Sequence, residues 1–150
     1  MKRIACLLAT SLIGTACFGQ TANKATASNP GFPRVVARLN LLNRTKELGP
    51  QVLYTPKKSG VFRVSAAMVC TVGNGNVQGS WSSQVSWSNE IGLIPPFSVA
   101  GVGVGVPSWS ELSPITINVS GGTPIMFSVV SPSDTSGTQY NAYVILEQLE

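Results

Sequence analysis

From Val61 to Val72 the chain alternates. Phe62, Val64, Ala66, Met68, Cys70 and Val72 fall on one face, and Arg63, Ser65 and Thr71 on the other. Period two sustained this long predicts a half-buried antiparallel strand. Gly73-Asn74-Gly75-Asn76 then offers positive-φ residues for a hairpin. In the return strand Val77, Trp81, Val85 and Trp87 point one way, and Gln78, Ser80, Ser82, Gln84, Ser86 and Ser88 the other. The two strands are expected to share one buried face and to hold a serine/glutamine face in water.

The same alternation recurs downstream. Ile115, Ile117 and Val119 are interleaved with Thr116 and Asn118, Gly121-Gly122 turns the chain, and Ile125, Phe127 and Val129 return. A polar loop over Ser131 to Thr138 precedes a terminal strand from Tyr140 to Leu149. Upstream, Val35 to Leu42 and Gln51 to Thr55 read as strands. Gly101 to Val106 alternates glycine with valine, which gives a strand with one bare face. Either a large neighbour such as a tryptophan covers that face, or the segment is a flexible loop, or another subunit approaches it closely. The total is about eight strands, and the expected fold class is all-β: a two-sheet antiparallel β-sandwich or jelly roll, after an N-terminal signal helix.

The first nineteen positions read differently. Lys2 and Arg3 precede an uncharged apolar run, Ile4 to Phe18, and a Thr/Ala/Asn/Ser-rich stretch follows. That is the layout of a secretory signal peptide (1–19) and a linker (20–32) ahead of a β-sandwich domain (33–150). No later stretch reaches about 18 uninterrupted apolar residues, so no transmembrane segment is expected. Gly14-Thr15-Ala16 places small residues where a signal peptidase reads, with cleavage before Cys17; Cys17-Phe18-Gly19 offers a second site. Ile13-Gly14-Thr15-Ala16-Cys17 also resembles a bacterial lipobox, which makes Cys17 a candidate for lipidation. The expected location is secreted, periplasmic or cell-envelope, lipid-anchored in the last case.

Composition removes whole classes of chemistry. There is no histidine, the sole aspartate is Asp134, and charged residues make up 11% of the chain. General acid–base catalysis, nucleophile activation and most metal sites need residues that are missing here. No catalytic residue, cofactor or metal site is therefore expected. The net charge of +4 is scattered and loses Lys2 and Arg3 with the leader, so no nucleic-acid partner is indicated. Glu47, Glu90 and Glu111 leave a glycoside-hydrolase reading as a remote alternative, but no partner tunes any of them as an acid. Cys70 lies on an apolar strand face and reads as a small buried hydrophobe.

Tyr54-Thr55-Pro56-Lys57-Lys58-Ser59-Gly60-Val61-Phe62-Arg63-Val64-Ser65 resembles the C1q/TNF-like superfamily's block in which a Pro-containing segment and a glycine precede an alternating strand. Val119-Ser120-Gly121-Gly122-Thr123-Pro124-Ile125 resembles its penultimate hairpin, and Tyr143-Val144-Ile145-Leu146 its final central strand. The arrangement is also similar to small jelly-roll domains of bacterial secreted proteins and phage fibre tips. The resemblance implies a non-catalytic binding or structural module that self-associates as a homotrimer, with no catalytic residue to carry over.

Among contact residues, Trp81 and Trp87 share the apolar strand face, which favours core packing over a sugar platform. Trp109 and Glu111 fall in a Ser-rich loop and are the candidates for contact with a carbohydrate or another envelope protein. Gly101, Gly103 and Gly105 are the candidates for a subunit interface. Asp134 reads as part of a plain turn, and Lys57-Lys58 as a solvated one. If the leader is processed, the intact mass of protein recovered from the envelope or medium lacks Met1 to Ala16, and a diacylglycerol increment on Cys17 marks lipidation. A mass that retains Met1 to Ala16 rules out both.

Overall fold

The computed structural model describes residues 33–131 and 133–149. The expected leader, linker and Cys17 lie outside them. The described residues form nine strands and no helix: β1 (Arg34–Arg44), β2 (Leu48–Tyr54), β3 (Gly60–Val72), β4 (Ser80–Asn89), β5 (Gly92–Gly103), β6 (Ser108–Glu111), β7 (Ile115–Val119), β8 (Ile125–Val130) and β9 (Gln139–Gln148).

These strands pair as one long antiparallel ribbon rolled on itself. Strands β4 and β5 form its tip; β3 pairs with β6 and β7, β2 with β8, and β1 with β9. Rolling brings β9 beside β3 and β8 beside β4. Two sheets result: β1-β9-β3-β6, with β7 also on β3, and β2-β8-β4-β5. This is the jelly-roll arrangement of a two-sheet sandwich.

The period-two pattern survives as alternating burial. In β3, Phe62, Val64, Ala66, Met68 and Cys70 are buried; in β8, Ile125, Phe127 and Val129 are. Two aromatic pairs tie the sheets together. Trp81 of β4 meets Tyr140 of β9 with ring centroids 4.6 Å apart, and Tyr54 of β2 meets Phe62 of β3 at 5.9 Å. The tilted geometry of each pair suits ring quadrupoles.

Several expectations fail for identifiable reasons. The chain over 73–79 does not close a hairpin. It crosses from one sheet to the other, so β3 and β4 face each other across the core instead of lying side by side. Glycine permits that crossing: a Cβ on Gly79 would fall 2.1 Å from the carbonyl oxygen of Asp134. The Gly121-Gly122 turn is likewise a crossing, from β7 to β8, and a Cβ on Gly121 would fall 2.8 Å from the Cα of Lys58. Val72 is exposed, because the register slips after Cys70. Trp87 stays in phase with Trp81, Ser83 and Val85 and packs against the core, but it is only partly buried; the extra residue of the bulge beside it lies in β5, where Val85 faces Phe97 and Trp87 faces Ile94. The ninth strand arises because Ser108–Glu111 is a strand and not a loop. Pro95 and Pro96 lie within β5, which is tolerated because β5 is a sheet edge.

Trp81 is 1% exposed and donates its indole N–H to Thr138 Oγ1 at 3.1 Å. Trp81→Ala is therefore expected to cost about 3–5 kcal/mol in urea unfolding, the range for a fully buried large aromatic. Trp87→Ala should cost well under that. Equal losses for the two would show that Trp87 is as much a core residue as Trp81.

Candidate functional site

The outer face of the β1-β9-β3-β6 sheet carries two exposed aromatic groups, Trp109 and Tyr143. Trp109 belongs to β6 and lies opposite Val69 of β3, which itself lies opposite Asn141 of β9. Glu111 lies opposite Ala67, and Ala67 opposite Tyr143. Paired residues share a face, so Trp109 and Glu111 both point outward, and Tyr143 joins them diagonally across β3. Trp109 is 71% exposed and Tyr143 36%. Ala67 and Val69 between them are small, which leaves a low apolar trough with an aromatic on either side. Asn141 Nδ2 donates to the Tyr143 hydroxyl at 3.3 Å. Farther along the face, Ile145 lies between Arg38 of β1 and Ser65 of β3.

The sequence brought Trp109 and Glu111 together but placed them in a loop; a short strand aims them instead. It also missed Tyr143 as a site residue, although the alternation of Ala142, Val144 and Leu146 as buried positions fixes Tyr143 on the outer face. The glycine run lies elsewhere. Gly101 and Gly103 lie on edge strand β5 opposite Ser82 and Ser80. Val102 and Val104 point into the core. An added Cβ at Gly103 or Gly105 would meet nothing within 4 Å, so no tryptophan covers that bare face.

The carboxylates are dispersed. Glu90 lines a shallow cleft of about 430 Å³ with Ser59, Ile91 and Asn118. Glu47 lines a separate open depression and accepts the Ser131 N–H at 2.7 Å. Glu111 lines neither. Asp134 accepts both the backbone N–H (2.9 Å) and the hydroxyl (2.6 Å) of Ser136, which closes a turn; these bonds, the hydroxyl first, hold its pKa below the usual value. Arg63 pairs with Glu147 at 2.7 Å across β3 and β9, which raises the pKa of its guanidinium. What the exposed face offers chemically is contact: two aromatic surfaces, small apolar residues between them, and charge at the margins.

No protein-family model matches the chain, and no curated protein does. Among solved structures it is similar to infectious bursal disease virus Gx strain, with 11% identity and a TM-score of 0.49, over 85% of this chain and 37% of that one. It is also similar to the Eiger TNF from S. frugiperda, with 11% identity and a TM-score of 0.41, over 78% of this chain and 94% of that one. The Gt strain of the same virus gives 11% identity and 0.44, over 85% and 36%. The chain thus spans well under half of the viral chains it resembles, and the likeness is one of fold.

Two buried acids give the fold an alkaline limit. Burial pushes up the pKa of the Cys70 thiol and of the Tyr140 phenol, the latter partly offset by Arg44. A group whose folded-state pKa is raised contributes fully below its unfolded pKa, and that contribution is lost as pH climbs through the folded value. Stability should fall from about pH 9 upward, beyond the unfolded thiol value, and more steeply above about pH 10, beyond the unfolded phenol value. In thermal melts Tyr140→Phe should flatten the fall above about pH 10. An identical alkaline slope in that variant would exclude Tyr140 as a source.

Proposed function

We propose that this chain is a non-catalytic module that acts outside the cytoplasm by self-association, and that the outer face of the β1-β9-β3-β6 sheet is its contact surface. The observation that carries the reading is the Trp109–Tyr143 trough. Aromatic residues over small apolar ones are what subunit interfaces bury at their centres. The charges on this face support a head-to-tail contact. Arg38 stands at the β1 margin and Glu111 at the β6 margin, so a copy docked head-to-tail brings opposite charges together. Head-to-tail contacts that close make rings, and a trimer is the ring that the C1q/TNF-like resemblance implies. The glycine run of β5 is the weaker candidate for this interface, because its outer neighbours Ser80 and Ser82 supply little apolar area to bury.

A second reading uses the same residues. Trp109 and Glu111 project from one face of one short strand, which gives a stacking ring beside a hydrogen-bond acceptor. That pairing suits a carbohydrate.

Size-exclusion chromatography with light scattering separates these readings. The native chain should run as a trimer at tens of micromolar. Trp109→Glu combined with Tyr143→Glu should give a folded monomer, and Gly103→Glu should leave the trimer intact. A native monomer overturns the assembly, and a monomer produced only by the Gly103 change moves the interface to β5. Quenching of tryptophan emission by oligosaccharides in a chain that stays monomeric would favour the carbohydrate reading.

A further inference from the structure

One end of the sandwich carries apolar side chains that the fold does not use. The β4–β5 turn closes over Glu90 and Ile91, and Asn89 Oδ1 accepts the N–H groups of Ile91 (2.9 Å) and Gly92 (3.3 Å). This bonding holds the turn in shape with Ile91 at its crest, 94% exposed. Turn crests ordinarily take Gly, Asn, Asp or Ser. Leu93, opposite Ser88 at the start of β5, is 76% exposed. Neither side chain packs on the core.

The same end is basic. Ser59 lines the shallow cleft together with Asn89, Glu90 and Ile91, so the 55–59 loop lies beside the tip. That loop carries Lys57 and Lys58, both exposed. Arg34, where the chain enters β1, is also exposed; it lies opposite Gln148, which lies opposite Phe62. Two described carboxylates lie at this end, Glu90 in the turn and Glu147 opposite Val35, and Glu147 is already paired with Arg63. The opposite end mixes Arg44 and Lys46 with Glu47 and Asp134.

We propose that this end is a docking surface for an anionic lipid bilayer, with Ile91 and Leu93 entering the interface and Lys57, Lys58 and Arg34 facing the headgroups. Apolar side chains that project from a turn, ringed by cations, are shaped for insertion among headgroups and not for a flat protein contact. Topology gives a second, independent support. The chain preceding Pro33, which includes the lipidation candidate Cys17, joins the sandwich at this end. A chain held at a membrane through a lipid on Cys17 would bring this end against the bilayer. The inference does not depend on the subunit interface proposed above, which uses a sheet face and not an end.

The test uses vesicle flotation of the full chain as recovered from producing cells, at lipid concentrations giving half-maximal binding. Vesicles are phosphatidylcholine alone, or phosphatidylcholine with phosphatidylglycerol. Binding should be stronger to the anionic vesicles and should weaken with salt. Lys57→Glu with Lys58→Glu should lower the anionic-vesicle affinity by at least about fivefold. Ile91→Glu with Leu93→Glu should lower binding to both vesicle types. Any binding through the N-terminal segment is common to all variants and cancels in the comparison. A tip-specific readout comes from Ile91→Trp: brominated acyl chains should quench the added emission. Variants that bind like the native chain, no preference for anionic vesicles, or an unquenched tryptophan at position 91 would each overturn the proposal. Loss of oligomerisation without loss of vesicle binding would leave it standing.

Discussion

The contact between Trp81 and Tyr140 holds the roll together at the end where its connections are longest. Trp81 belongs to one sheet and Tyr140 to the other, and their rings meet across the core at 4.6 Å. Each ring also has a polar atom to satisfy in the interior. The indole N–H goes to Thr138 Oγ1, whose own hydroxyl donates to the Thr135 carbonyl at 2.6 Å, and the Tyr140 hydroxyl donates to the Lys46 carbonyl at 3.0 Å. Two aromatic residues thus fix the sheet separation here and pin the 135–138 turn and the 45–47 loop. The chain has no described disulfide and one described ion pair, between Arg63 and Glu147. Burial and these few hydrogen bonds carry the fold.

Strand identity was legible in the sequence because period two reports directly which side chains enter the core. Phe62 to Cys70, Ile117 to Val119 and Ile125 to Val129 alternate as read. Sheet membership was not legible. A Gly-Asn-rich link between two amphipathic strands serves equally for a hairpin and for a crossing, since both strands bury one face in either case. Only long-range pairing, β3 with β9 and β4 with β8, decides between them. Val72 broke the pattern at a register slip: it lies just past one in its own strand, and a slip of one residue turns a side chain over to the other face. Pro95-Pro96 concealed the strand that contains it, because the exemption of edge strands from the cost of a missing N–H depends on neighbours the local sequence does not name.

The candidate site was half legible for a related reason. Trp109 and Glu111 stand two apart, and that spacing keeps them on one side in any extended segment. Tyr143 is more than thirty positions away and joins them only because β3 pairs with β6 on one side and with β9 on the other. Strand β3 is central to the first sheet, so its outward residues Ala67 and Val69 form the floor on which the two aromatics are placed. A small residue at each of these floor positions leaves both rings standing proud of the sheet.

Surface chemistry follows from the same architecture. A jelly roll has two sheet faces and two ends, and in a chain so poor in charge these regions differ mainly in where apolar groups are left uncovered. The outer face of β2-β8-β4-β5 carries Ser82, Ser98, Gln84 and Ser128, with the hydroxyls of Ser82 and Ser98 2.7 Å apart, beside an exposed Val52 opposite Met126. The outer face of the other sheet leaves Trp109 and Tyr143 uncovered, and the β4–β5 tip Ile91 and Leu93. Hydrophobic burial inside the sandwich does not require Trp109, Tyr143, Ile91 or Leu93 to be apolar, since none of them enters the core. Their exposure brings the fold no packing and adds to its tendency to associate, and a soluble surface tolerates such groups in clusters mainly where something else covers them. Both proposed contacts fall where such groups are left uncovered.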